Sequence, residues 1–458
     1  MSRAARQVGK LGAAEVVVFV AALIQTVVVA RWLGPQDYGV AALIFAYTGF
    51  VYVFLDPRSS EAVVRYISEF SAVRDLDRVR AVPALGYLAD AAFGALALLI
   101  VATTAPWVDS AIVGSDGSWW LLLIFAGSLT FAAPSATSRG VLTAFDRFGA
   151  IAKLQSTTAL VRLAIVLAVV MSGGGLAGFV VASAISILIE GVVMIFAAQR
   201  VVHRETGSSW FRGGVRPLAG RLREIIRFMV YTDLVGLVGG FTKQADVLIL
   251  GFVRGPTDAA FYRIGLSVAS PIVRIGGPLT SVFYPRFARL AARGASAELD
   301  DQVRRTVLWA AAPITGLVLL TTPLVPYVIE LAFGTAYVPG ARTAQVIVAA
   351  SAISLGFFWL RPLLLAVGRV RPLLGFTGGT AALATVGFFL GAHWAGHLGV
   401  ALARAAIVSV AGSCAIAAYL LVLRRRGRLL DEVERTTRER AAAEAAVRSV
   451  EVQGSARS

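Results

Sequence analysis

Residues 12–58 read GAAEVVVFVAALIQTVVVARWLGPQDYGVAALIFAYTGFVYVFLDPR. Two apolar stretches, each about 20 residues long, flank a short turn at Gly34-Pro35-Gln36-Asp37, and about 20 apolar residues are what a helix needs to cross a bilayer core. Proline suits the first helical position, where its missing N–H is not needed, and a carboxylate near a helix start meets the positive end of the dipole. The stretch therefore reads as a helix, a tight turn and a second helix that breaks at Asp56-Pro57. Residues 57–70 read as a polar-faced extension of that second span.

The same pattern runs through the chain. Apolar stretches cover 10–33, 37–56, 81–105, 118–142, 150–172, 176–199, 226–253, 258–283, 305–332, 342–366, 373–394 and 398–423, twelve candidate spans in all. The chain has 458 residues, 57% hydrophobic and 15% charged, and its mean hydropathy is +0.75. A soluble domain carries roughly 25% charged residues, so the bulk of this chain belongs in lipid. The first stretch follows Arg3, Arg6 and Lys10 as a signal peptide would, but it is longer than such a segment and lacks a small-residue cleavage site, so it reads as a retained helix.

Net charge is +16, a value that in a soluble protein would suggest nucleic acid. Here the basic residues sit between apolar stretches, as cytoplasmic loops of membrane proteins do, and no nucleic-acid partner is expected. Arg74, Arg78 and Arg80, the segment Arg200–Arg227, and Arg424–Arg426 fall on one side, whereas loops 106–117, 172–175 and 395–397 carry no Lys or Arg. Both termini are expected in the cytoplasm, in a plasma or inner membrane. Trp32, Trp107, Trp119 and Trp120 mark the opposite interface. Loops on that side are too short for an extracytoplasmic domain, which counts against a membrane-bound polymerase or glycosyltransferase. The charged, Ala-rich tail reads as a solvated cytoplasmic helix. Cys414 is the single cysteine, so no disulfide forms within the chain.

The turn at Gly34 has a second copy. Gly255-Pro256-Thr257-Asp258 also opens an even-numbered span, so Gly34, Pro35 and Asp37 match Gly255, Pro256 and Asp258. Two such copies at equivalent points of two six-helix halves indicate a duplication, and an even number of spans per half makes the repeat parallel, with a pseudo-twofold along the membrane normal. The fold class expected is all-α integral membrane, with about twelve helices in two six-helix lobes. The boundaries read as 1–200 for the first lobe, 201–225 for a basic linker, 226–424 for the second lobe and 425–458 for the tail.

The segments ARWLGPQDYGV (30–40), EAVVRYISEF (61–70) and QADVLILGFVRGPTDAAFY (244–262) resemble the polysaccharide-biosynthesis flippases, relatives of the multidrug extrusion transporters and of lipid II flippases. The resemblance runs over roughly residues 5–425. It implies two lobes around a central cavity lined by helices one, two, seven and eight. It implies movement of an isoprenoid-diphosphate-linked oligosaccharide from the cytoplasmic to the outer leaflet, with membrane lipids and other polysaccharide-assembly proteins as partners, and no enzymatic activity and no cofactor. The alternative within this fold is proton- or sodium-coupled drug extrusion.

Ionisable residues inside spans mark pathways or pairs, because each costs at least about 2.5 kcal/mol at the bilayer centre. Arg58, Lys243 and Arg274 are the candidate substrate contacts, since guanidinium forks match phosphate oxygens and a cationic cavity favours a lipid diphosphate over a cationic drug. Glu15, Asp56, Asp233 and Asp246 are candidates for ion coupling or for buried pairing. Arg162 and Glu190, both at mid-membrane depth, are read as an ion pair between adjacent helices. Lys243 and Asp246 share a helix face and permit a second pair. His393 and His397 have the spacing of two metal ligands on one face but lack further ligands, and no metal is expected. Gly387 and Gly391 form a G-x-x-x-G suited to close lobe packing. No phosphate-binding Walker loop occurs, which speaks against ATP hydrolysis.

Overall fold

Glycine and proline decide where the helices break. The computed structural model describes residues 3–114, 117–209, 214–241, 244–293, 296–366 and 379–414, and no strand occurs among them. The first helix, Arg3–Phe54 (α1), holds two spans, because Gly34 within it has φ 72 and ψ 174, a backbone region essentially closed to residues with a Cβ. Ser59–Ala72 (α2) is a separate amphipathic helix rather than an extension of the second span. Pro57 has no N–H to continue the helical ladder, and Arg58 before α2 takes a left-handed φ of 48.

Leu76–Val108 (α3) starts under a cap in which Asp75 accepts from the Arg78 N–H at 3.1 Å. Trp119–Ala132 (α4) and Ser135–Ala144 (α5) form one span bent at Pro134. Phe148–Met171 (α6) and Gly175–Thr206 (α7) complete the first half. The second half opens with Leu222–Phe241 (α8) and Ala245–Arg254 (α9), then Pro256–Ala292 (α10). Ser296–Thr306 (α11), Ala312–Thr321 (α12) and Val325–Phe333 (α13) follow, then Ala341–Gly356 (α14) and Leu360–Ala366 (α15). Gly379–Cys414 (α16) folds back on itself at Gly396, whose φ is 57.

With α1 and α16 counted as two spans each, the elements make twelve spans, six in each half. Gly255, between α9 and α10, has φ 88 and ψ −175, so the second half repeats the backbone turn of Gly34. The fold is a twelve-helix integral membrane bundle of two six-helix lobes in a parallel repeat. Residues through Ala405 form one unit; of the second, Ala406–Ser458, only the helical residues 406–414 are described. Gly391 of the G-x-x-x-G serves the α16 hairpin rather than a lobe contact, because a Cβ there would meet the Gly399 carbonyl at 2.5 Å.

The core of the first half gathers on α2. Its residues Ala62, Val63, Tyr66, Ile67 and Phe70 recur at helical spacing and pack with Val82 of α3, Val141 of α5 and Met194 of α7. Ile225 and Met229 of α8 join the same cluster, so the second half is gripped at the end of α2. There Phe228 meets the edge of the Tyr66 ring at 5.9 Å, and Arg221 donates hydrogen bonds to Glu224 and to Glu69.

Candidate functional site

At the end carrying the Gly34 and Gly255 turns, the halves are in contact. Thr257 Oγ1 donates to Gln36 Oε1 at 2.6 Å, Tyr337 donates to the Ala30 carbonyl at 2.9 Å, and Arg31 reaches the Leu331 carbonyl. Tyr38 and Tyr337 meet edge to face at 6.4 Å. A Cβ on Gly39 would overlap the Pro256 carbonyl, so this seal depends on backbone-to-backbone approach.

Beyond the seal, the halves part around a cavity of ≈ 380 Å³ that includes Glu15 and Thr26 of α1, Arg162 of α6, Glu190 of α7 and Arg274 of α10. A second cavity of ≈ 270 Å³ shares Thr26 and Arg274 and adds Arg263, Ser267 and Ser270 of α10. Among the described residues, helices one and eight line this space as expected, joined by helices five and six. Arg263 and Arg274 are eleven residues apart, about three helical turns, and so project from one face of α10.

Charge in this space is unequally paired. Arg274 bonds Glu15 across the halves at 3.1 Å and lies over the Phe19 ring at 5.5 Å from its centre. Glu190 makes its ion pair with Arg139, at 3.9 Å; it also acts through its charge on Arg162, which lines the same cavity outside ion-pair distance. Arg162 has a buried Nε without a hydrogen-bond partner, and among the described residues neither Arg162 nor Arg263 makes an ion pair. Both carboxylates thus have a contact partner, whereas the Arg162 and Arg263 guanidinium groups line the space without one among the described residues.

The other sequence candidates lie elsewhere. Arg58 sits at the break before α2, between Asp56 and Glu61, each at 3.7 Å, and is not brought to Arg274. Asp56 lines a third cavity, of ≈ 370 Å³, inside the first half. Asp246 is fully buried, held by Arg404 at 2.7 Å and by the Tyr262 hydroxyl at 2.8 Å, so it ties α9 to α16 and α10 rather than facing the central space. Lys243 lies outside the described residues, and so does the side chain of Asp233. His393 and His397 do not converge: His397 Nδ1 is 2.6 Å from Thr343 Oγ1, the His397 backbone N–H donates to Asp258 at 3.2 Å, and the His397 ring meets Phe261, while His393 contacts Phe389. Burial pushes the His397 imidazole down in pKa and the Asp258 carboxylate partly opposes this.

Three groups escape the sequence reading. Arg263 stands in the stretch FYRIGL that continues the second Gly-Pro turn, and its eleven-residue spacing from Arg274 is the signal that would have found it. Arg404 lies in the last span and Asp90 in the third, each a lone charge in an apolar run.

Comparison with known proteins agrees with this architecture. A family model described as polysaccharide biosynthesis protein matches residues 4–291. The Escherichia coli inner membrane protein YghQ is 25% identical over 283 residues, which is 62% of this chain and 79% of that protein. The lipid II flippase MurJ in its inward closed conformation superposes with TM-score 0.67 at 15% identity, over 89% of this chain and 87% of its own. A point mutant of the Vibrio cholerae MATE transporter VcmN gives TM-score 0.64 at 15% identity, over 92% of this chain and 97% of its own. With the family match spanning more than half of its residues, this multi-pass membrane chain belongs to the polysaccharide biosynthesis protein family, whose fold it shares with flippases and transporters.

Proposed function

We propose that the protein is a flippase that moves an isoprenoid-diphosphate-linked oligosaccharide from the cytoplasmic to the outer leaflet by alternating access of its two lobes. The observation that supports this is the cationic character of the inter-lobe cavity: Arg162 and Arg263, neither in a contact ion pair among the described residues, beside Arg274. A guanidinium without a contact partner inside a bilayer is costly and so marks a pathway or ligand site, and a diphosphate supplies the matching oxygens. The polyprenyl chain stays in lipid while the charged head enters the cavity. Residues 1–200 and 226–424 act as the moving lobes, joined by the basic linker 201–225. Both termini and the tail 425–458 lie in the cytoplasm of an inner membrane, which makes the sealed end the outer one and the state inward-facing. Other polysaccharide-assembly proteins supply and receive the substrate.

Drug extrusion is the second reading, since the MATE transporters share the fold. A cavity with excess guanidinium repels a cationic drug. The deciding experiment is flipping of a fluorescent isoprenoid-diphosphate sugar in proteoliposomes. Wild type flips it, and Arg162→Ala, Arg263→Ala and Arg274→Ala each lose about tenfold or more, as expected for a charge-assisted hydrogen bond of about 1.5 kcal/mol or more. Export of a cationic dye without lipid flipping overturns the proposal.

A further inference from the structure

Asp90, on α3, is 2% exposed and makes no ion pair among the described residues. Its Oδ2 accepts from the Thr137 N–H of α5 at 3.3 Å, and the carboxylate stands beside the hydroxyls of Thr137 and of Ser59, the first residue of α2. Both hydroxyl oxygens are fully buried, and neither has a hydrogen-bond partner of good geometry. Asp90 also lines the ≈ 370 Å³ cavity of the first half, together with Asp56 and Glu190, and Glu190 and Ile187 line the central cavity as well.

Among the described residues, the bases near Asp90 are committed elsewhere: Arg58 lies between Asp56 and Glu61, and Arg139 pairs with Glu190. On its own helix, Tyr87 bonds Ser138 at 2.9 Å. A lone buried carboxylate beside two hydroxyls is suited to two protonation states. A hydroxyl donates to the charged form and accepts from the neutral one, which neither an arginine nor an ammonium can do.

We propose that Asp90, with Ser59 and Thr137, is a proton-binding site of the first half, filled from the cavity lined by Asp56 and Glu190. The step is proton transfer alone: a proton from cavity water adds to a carboxylate oxygen and neutralises it, then leaves by the same route. Its consequence falls on the break before α2. The charged carboxylate accepts from both hydroxyls and draws Ser59 toward α3, whereas the neutral acid donates to one of them and relaxes that hold, next to the left-handed backbone of Arg58. Proton occupancy thereby sets the position of α2, which grips α8 of the opposite half.

The flipping arm of the test rests on the proposed function, so a second arm is independent of substrate. Infrared difference spectra of the purified protein between acid and neutral pH show a protonated carboxyl band that Asp90→Asn removes and Thr137→Val moves in midpoint. In proteoliposomes, wild-type accumulation rises about tenfold per pH unit of gradient for one proton per lipid, and Asp90→Asn flips lipid without that response. A band that survives Asp90→Asn, a gradient response that survives it, or a response to sodium instead of pH overturns the proposal. A wild type that flips no lipid while the infrared band behaves as stated removes the proposed substrate and leaves the proton site standing.

Discussion

Gln36 and Thr257 hold the same place in the two copies of the Gly-Pro turn, 221 positions apart, and they are hydrogen-bonded to each other at 2.6 Å. Equivalent residues of a parallel repeat meet only near the axis that relates the copies. The seal between the halves is therefore built on the pseudo-twofold, where a small rotation of one lobe against the other separates the pair with little sliding. Gly39 packs against Pro256 beside it, without the bulk of a Cβ.

Gly39→Ala is expected to open this seal, because the added methyl has only the Pro256 backbone to displace. On a Cys414→Ser background, the pair Gln36→Cys and Thr257→Cys crosslinks readily, and Gly39→Ala reduces the yield. Unchanged crosslinking would show that the backbones do not approach as described.

Gly34→Ala and Gly255→Ala test a different property. Nothing lies within 4 Å of a Cβ at either position, so any cost comes from the backbone alone. Each substitution should destabilise by about 1–3 kcal/mol, as expected for a residue forced into a conformation reserved for glycine. Thermal unfolding in detergent measures it, and equal melting of variant and wild type would refute the shared turn geometry.

Asp246 and Arg404 make a pair whose loss is asymmetric. Asp246→Asn leaves the Arg404 guanidinium without its partner in the interior and should cost about 3 kcal/mol, whereas replacing both members with apolar residues should cost much less. Circular dichroism melts of the single and double variants decide this; a double variant no more stable than the single would mean that the stranded guanidinium is not what destabilises Asp246→Asn.

Much of the architecture was legible in the apolar periodicity, since a bilayer accepts only helices of a certain length, and the Gly-Pro repeat disclosed the duplication. Partnership was not legible. Sequence spacing placed Arg162 and Glu190 at one depth, but the choice of Arg139 for Glu190 depends on how α5 and α7 turn toward each other. Asp246 has Lys243 as a neighbour in sequence, yet it bonds Arg404, 158 residues away. Arg58 followed a break that was visible, but the left-handed turn that carries it away from Arg274 was not, because arginine seldom adopts one.

At the end of α2 the contact with α8 should depend on acidity. Hydrogen bonds from Arg221 hold the Glu224 carboxyl below its ordinary value of 4.5, with burial opposing. A carboxyl depressed in the folded state contributes stability that is complete above its unfolded value and lost as pH falls through the folded one. The protection of amides in residues 222–229, taken relative to intrinsic exchange at each pH, should therefore be constant at neutral pH and fall below about pH 4.5, close to the unfolded glutamate value. Arg221→Ala should show lower protection at neutral pH and lose its fall in acid; a loss of protection in acid that persists in that variant would assign the effect to another group.

Glu15 stands against Arg274 in the central cavity, at 3.1 Å, with both side chains about half exposed or more (67% and 49%). Such a partly solvated pair is weak, worth about 0.2–1 kcal/mol, so it neutralises the arginine without holding it irreversibly. A diphosphate entering the cavity must displace Glu15 or share Arg274 with it. Glu15→Gln removes the competitor while keeping its shape, and it should tighten binding of farnesyl diphosphate, a soluble isoprenoid-diphosphate probe, by up to about fivefold, the factor that about 1 kcal/mol supplies. The same change should slow release and so lower the turnover of flipping at saturating lipid. Titration calorimetry on the purified protein checks the first effect and the proteoliposome assay the second. Weaker binding in Glu15→Gln would mean that Glu15 positions Arg274 for the diphosphate instead of competing with it.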